Sequence, residues 1–125
     1  MLAAMRISGA ESQIMEALWR CGPSTLDGVV GEVGEAHGWA PGTVKTLITR
    51  LLRKKAIEGR REAEGYFYRP LISRESYVQS ESQSLVDRLF DGEVAPLVAA
   101  CAEHRPLTSK DIQLLKSLIA KLEDE

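Results

Sequence analysis

The stretch from Trp39 to Lys55 admits little except a short helix with two chemically opposed faces. Val44, Leu47, Ile48, Leu51 and Leu52 recur at i, i+3, i+4, i+7 and i+8, the spacing that lines one side of a helix with apolar groups. At about 100° per residue, Thr46, Thr49 and Arg53 fall on the opposite side, with Thr43 and Arg50 along one flank and Lys45 along the other. The outward face holds cations and hydroxyls and no carboxylate. Such a helix docks on a core through one face and offers hydrogen-bonding groups to an anionic partner through the other. Double-stranded DNA is the partner that fits.

The segments around it follow a recognisable order. Ser8-Gly9-Ala10-Glu11 is a capping box that starts a helix carrying Ile14, Met15, Leu18 and Trp19, and Gly22-Pro23 stops it. Ser24 or Thr25 caps a second helix with Leu26, Val29, Val30 and Val33 inward, closed by Gly38. Gly28, Gly31 and Gly34 weaken it, at about 1 kcal/mol each relative to Ala. The third helix begins at Pro41, where a missing N–H does no harm. Beyond Lys55 the period changes to short extended runs, 57–62 and 66–71, joined by Ala63-Glu64-Gly65 with Gly at the left-handed position. Arg60 and Arg61 lie near the tip of this hairpin. Three helices and a basic-tipped hairpin make the order of a winged helix-turn-helix, with the third helix in the reading position.

Charge supports this only when taken locally. The chain of 125 residues carries a net charge of −2, yet from Ala40 to Arg61 seven cations (Lys45, Arg50, Arg53, Lys54, Lys55, Arg60, Arg61) face the single carboxylate of Glu58. From Tyr77 onward acidic residues outnumber basic ones. Phosphates respond to charge within a Debye length of about 8 Å, so the local cluster decides.

The rest of the chain is helical. Ser73 caps a fourth helix running to about Phe90 with Tyr77, Val78, Leu85, Val86, Leu89 and Phe90, and Asp91-Gly92 breaks it. A fifth segment, Val94 to about Glu103, contains Leu97, Val98 and Cys101, and a sixth, capped by Thr108, aligns Ile112, Leu115, Leu118, Ile119 and Leu122. Helices this short cannot all hide their stripes within one protomer, so Leu85, Leu89, Leu97, Val98, Ile112, Leu115, Leu118, Ile119 and Leu122 are assigned to a homodimer interface. The expected fold is mainly α with a small β-hairpin wing. A winged helix-turn-helix DNA-binding domain spans residues 1–72, and a helical dimerisation domain spans 73–125.

Trp39-x-Pro41-x-Thr43-Val44-Lys45-Thr46-Leu47-Ile48-x-Arg50-Leu51, the hairpin ending Tyr66-Phe67-Tyr68-x-Pro70-Leu71, and Leu85-Val86-Asp87-Arg88-Leu89-Phe90-x-Gly92 are similar to the BlaI/MecI-type penicillinase repressor family. The likeness runs from about Ile7 to Leu122. It implies a homodimeric repressor that binds a palindromic operator and is derepressed by an antibiotic-linked or other stress signal, with a sensor-linked protease as a further partner. Departures are Ala56 where relatives commonly carry Gly, Thr49 for a frequent Asn, and Cys101 standing alone where a copper-responsive branch has Cys-x-Cys.

Enzymatic chemistry finds no support. His37 and His104 lack metal-ligand spacing with any Cys, His or carboxylate, and no nucleophile motif or phosphate-cradling loop is present. No catalytic residue, metal or cofactor is assigned. Met1–Ile7 is too short for a secretory leader and no run reaches the ~18 apolar residues of a membrane span, so a cytoplasmic setting without membrane contact is expected. Cys21 and Cys101 are expected as reduced, half-buried thiols. The rival to a DNA-reading protein is a winged-helix module that binds protein alone, which the unopposed basic face disfavours.

Overall fold

A computed structural model describes residues 6–125, so most of the Met1–Ile7 stretch lies outside it. By contact density the chain divides into two compact units, Met1–Glu81 and Ser82–Glu125.

In the first unit, helix α1 (Gly9–Cys21) starts as its capping box dictates. Ser8 Oγ accepts from the Glu11 N–H at 3.0 Å, and Glu11 Oε1 accepts from the Ser8 N–H at 2.9 Å. Ile14, Met15 and Leu18 are fully buried, and Trp19 is half-buried with its indole N–H donating to the Ile72 carbonyl at 2.9 Å. Helix α2 covers residues 26–37, capped by Thr25, and is α-helical at both ends with a π-helical turn, Val30–Gly34, between them. The wide turn sits where the glycines weaken the helix. It leaves Val29 and Val33 buried and Val30 half-buried.

Helix α3 (Pro41–Arg53) buries Val44, Leu47, Ile48 and Leu51 and keeps Leu52 half-buried. Helices α2 and α3 end in the same device. The Trp39 N–H bonds to the Gly34 carbonyl and Gly38 to Glu35; the Ala56 N–H bonds to the Leu51 carbonyl and Lys55 to Leu52. Each pair is a Schellman closure, which needs a left-handed residue. Gly38 supplies it for α2 at φ 69°, and Lys55 supplies it for α3 at φ 63°. Ala56 is therefore spared the left-handed conformation and is instead fully buried.

Strands β1 (Ile57–Glu62) and β2 (Gly65–Pro70) pair antiparallel, with Ile57 opposite Pro70 and Glu62 opposite Gly65. The loop is Ala63-Glu64 alone, because Gly65 enters the strand, at φ 144°, instead of the connection expected from the sequence. Ser24 and Tyr68 exchange backbone hydrogen bonds at 3.0 and 2.8 Å, an isolated bridge that adds a third extended segment beside β2. The architecture is a winged helix-turn-helix.

Helix α4 (Arg74–Phe90) runs across the division between the units. Within the first unit the Tyr77 ring packs against Trp19, tilted by 40° with ring centres 5.5 Å apart, and Arg74 pairs with Glu16. In the second unit the end of α4 is followed by α5 (Val94–His104) and α6 (Ser109–Glu123), the latter capped by a Thr108–Asp111 box. Val86 is the one buried residue of this unit, and α5 and α6 bury none. Cys21 and Cys101 are exposed, correcting the expectation of half-burial: Cys21 is the last residue of α1, and Cys101 sits on a helix none of whose residues is fully buried. Among the described residues no helix is long and apolar enough to cross a membrane.

Candidate nucleic-acid interface

The outward face of α3 is as the sequence spacing places it. Thr43, Lys45, Thr46, Thr49, Arg50 and Arg53 are all exposed, behind a buried stripe that fixes the helix to the core. Gly42, Lys45, Thr46, Thr49, Arg50 and Arg53 line one shallow groove along this face. Gly42 was not singled out by the sequence reading. A Cβ there would meet nothing within 4 Å, so no neighbour within the protein requires it to be glycine. The Thr46 hydroxyl donates to the Gly42 carbonyl at 3.0 Å and the Thr49 hydroxyl to the Lys45 carbonyl at 2.9 Å.

The seven cations of the basic stretch divide into two groups. Among the described residues Lys45, Arg50, Arg53, Lys55 and Arg61 have no carboxylate partner, whereas Lys54 and Arg60 do. Lys54 Nζ lies 2.5 Å from Glu11 Oε1 and also donates to the Arg6 carbonyl at 2.6 Å. Burial alone would push the Glu11 carboxyl up, but the Lys54 ammonium and the Ser8 donors outweigh it and hold the group below its usual range. Lys54 thus anchors the end of α3 to the start of α1, and its charge is already matched. Its place in the sequence, one residue after Arg53, gave no sign of this.

The hairpin separates the two arginines expected together at its tip. Arg60 and Arg61 are neighbours in β1 and project from opposite faces. Arg60 pairs with Glu58 at 3.1 Å on the face that also carries Arg69 and Glu62. Arg61 lies over the Tyr66 ring, 5.9 Å from its centre. The ring in turn covers Gly59, where a Cβ would come within 2.4 Å of it. Tyr66 and Gly59 were missed as parts of the site; the signal available was their place on one face of alternating strands.

The residues assigned to a dimer interface lie in the second unit and are open to a partner to different degrees. Leu89, Ile112, Leu118, Ile119 and Leu122 are exposed; Leu85, Leu97, Val98 and Leu115 are half-buried. Leu114, outside the expected stripe, is exposed as well.

The family described as penicillinase repressor matches residues 7–121. The penicillinase repressor of Bacillus licheniformis is 26% identical over 91% of this chain and 89% of its own. The methicillin resistance regulatory protein MecI of Staphylococcus aureus strain N315 is 25% identical over 92% of this chain and 94% of its own. Among solved structures, the monomeric form of Bacillus licheniformis BlaI in complex with the blaP half-operator is 29% identical, with a TM-score of 0.54 over 58% of this chain and 88% of that one.

Proposed function

The chain belongs to the penicillinase repressor family, and on that premise we propose that it is a transcriptional repressor that binds a palindromic DNA operator as a homodimer. The family is one of repressors, not enzymes. The observation that carries the DNA-reading part is the exposed face of α3, where Lys45, Arg50 and Arg53 stand without carboxylate partners around a groove floored by Gly42 and two threonines. A helix of this kind seats in the major groove with its N-terminal half toward base edges and its last turn toward phosphates. Thr43, Lys45, Thr46, Thr49 and Arg50 are proposed to face bases or the nearest phosphates, and Arg53 and Lys55 the backbone. Arg61 reaches DNA from the wing, with Arg60 on the hairpin's other face. Lys54 sits among these contacts but serves first to hold α3 against α1.

Residues 1–72 form the DNA-reading domain in this proposal and residues 73–125 the dimerisation domain. The names of the relatives support an antibiotic-linked signal as what lifts repression; another stress signal in its place, a sensor-linked protease as its agent and a cytoplasmic setting belong to the proposal.

A gel-shift titration with a duplex selected by the protein from a random pool tests the assignment. Thr46→Ala and Arg50→Ala should each weaken binding by about 1–3 kcal/mol with little change in melting temperature. Each phosphate contact should also contribute about −0.9 to the slope of log K against log salt, so Arg53→Gln flattens the slope. Unchanged affinity in Thr46→Ala and Arg50→Ala would remove α3 from the interface.

A further inference from the structure

We propose that the outer ridge of α3 reads thymine through methyl groups: Thr46 and Thr49 present their γ-methyls, not their hydroxyl protons, to the C5-methyl groups of thymines. The inference rests on the assignment of α3 as the DNA-reading helix and states what that helix recognises.

Both hydroxyl protons are already in use. Thr46 Oγ1 donates to the Gly42 carbonyl at 3.0 Å and Thr49 Oγ1 to the Lys45 carbonyl at 2.9 Å, each one turn back along the helix. A threonine hydroxyl has a single proton, so in this rotamer the oxygen keeps only acceptor capacity and the branch left to meet a partner is the methyl. Both residues are exposed, and both line the shallow groove on the outer face.

The surroundings favour an apolar contact at that spot. Gly42, Thr46, Thr49 and Arg53 follow one another at i, i+4, i+7 and i+11, so they form a single ridge. Gly42 contributes bare backbone, with open space where a Cβ would stand. Lys45 and Arg50 flank the ridge and supply the charge that draws phosphates to either side. Between the cations lie the two threonines and the open space over Gly42. The thymine C5-methyl is the apolar group that the major groove displays at a base edge. An acceptor role for the two hydroxyl oxygens would instead select the amino groups of adenine or cytosine.

The test uses the full chain and a duplex that wild type selects from a random-sequence pool. Thr46→Val and Thr49→Val keep the methyl and delete the hydroxyl; Thr46→Ser and Thr49→Ser do the reverse. The valine variants should bind the selected duplex within about twofold of wild type, and the serine variants should lose about fourfold for each half-site, the worth of one buried methyl. Deoxyuridine at the contacted thymines, which removes only the C5-methyl, should cost wild type that same factor and cost the serine variants nothing further. Circular dichroism confirms that each variant is folded. Loss in the valine variants with the serine variants intact overturns the proposal, as does indifference of wild type to deoxyuridine at every position. If wild type selects no sequence at all, the DNA-reading assignment itself fails, and this inference falls with it.

Discussion

Lys54 Nζ lies 2.5 Å from Glu11 Oε1, which joins the last turn of the helix we assign to DNA reading to the first turn of the helix that opens the chain. The carboxylate is almost wholly buried, and the same oxygen accepts from the Ser8 N–H that starts α1. One side chain therefore caps one helix and holds another. That contact adds to the apolar stripe beneath α3 in fixing the orientation of its outward face.

The pair makes stability depend on acid. The Glu11 carboxyl is held below its usual range when folded, whereas unfolded it titrates at about 4.3. Its contribution is then present above the unfolded value and is lost as pH falls through the folded one. Glu11→Gln should be less stable than wild type by about 2 kcal/mol at neutral pH, the scale of a hydrogen bond to a charged group. The gap should narrow as the pH drops below the unfolded value, because wild type then loses the charge that the variant never had. Urea unfolding across this pH range measures it, and a gap that does not change with pH would take the charge of Glu11 out of the account.

Lys55 offers a second test, because α2 and α3 end in the same closure with different residues in the left-handed seat. Gly38 occupies it without strain at φ 69°, while Lys55 at φ 63° brings a Cβ into a conformation that side chains resist. Lys55→Gly should stabilise the fold by about 1 kcal/mol, which raises the denaturant midpoint. The same change removes a cation without a carboxylate partner among the described residues from the proposed interface, so the salt slope of DNA binding should fall by about 0.9 for each half-site. A variant that gains stability and loses slope separates the two roles of one residue. A loss of stability would mean that the lysine stem packs in a way that outweighs the backbone relief.

Gly42 is the mirror case. It stands in the first turn of α3, its Cβ position is open, and nothing within the protein requires a glycine. Gly42→Ala should raise the melting temperature, since glycine within a helix costs about 0.5–1 kcal/mol relative to alanine. If the bare backbone serves close approach of DNA, the same variant should bind its selected duplex at least tenfold more weakly, about 1.4 kcal/mol. Equal or tighter binding would mean that the groove over Gly42 stays open in the complex.

What could be read from the sequence was local. Ser8 with Glu11 and Thr108 with Asp111 announce helix starts because each box lies within one turn, and the stripe from Val44 to Leu52 places every outward residue of α3 by period alone. The resemblance, in three separated motifs, reached the family. The contacts of long sequence separation stayed hidden: Lys54 with Glu11, the Trp19 indole on the Ile72 carbonyl, and the bridge of Ser24 to Tyr68. Lys54 reads as one more cation in a run of three, and only the fold shows that it faces a carboxylate. The π-helical turn at Val30–Gly34 was legible as weakness, from its glycines, but not as geometry. Ala56, where relatives commonly carry Gly, stands next to the left-handed seat, which belongs to Lys55.

The second unit has a single buried residue, Val86. A piece of chain this short, with so little of its own core, does not hold together by burial within one protomer. Leu118 and Ile119 are 49% and 54% exposed, and Leu89 and Leu122 are more exposed still. The partner we propose is a second copy, because the same apolar stripe on each protomer can form a self-complementary surface. Leu115 is a poor site for the test, since it is half-buried and its replacement would disturb the protomer itself. Leu118→Lys with Ile119→Lys changes only exposed positions. Sedimentation should find the double variant monomeric, with α-helix content retained by circular dichroism. Linked half-sites act at an effective concentration, so its affinity for a palindromic duplex should fall by about 10²–10⁴ while binding to a single half-site is unchanged. A variant that remains dimeric would place the interface on other helices and leave the exposed stripe of α6 without its proposed partner.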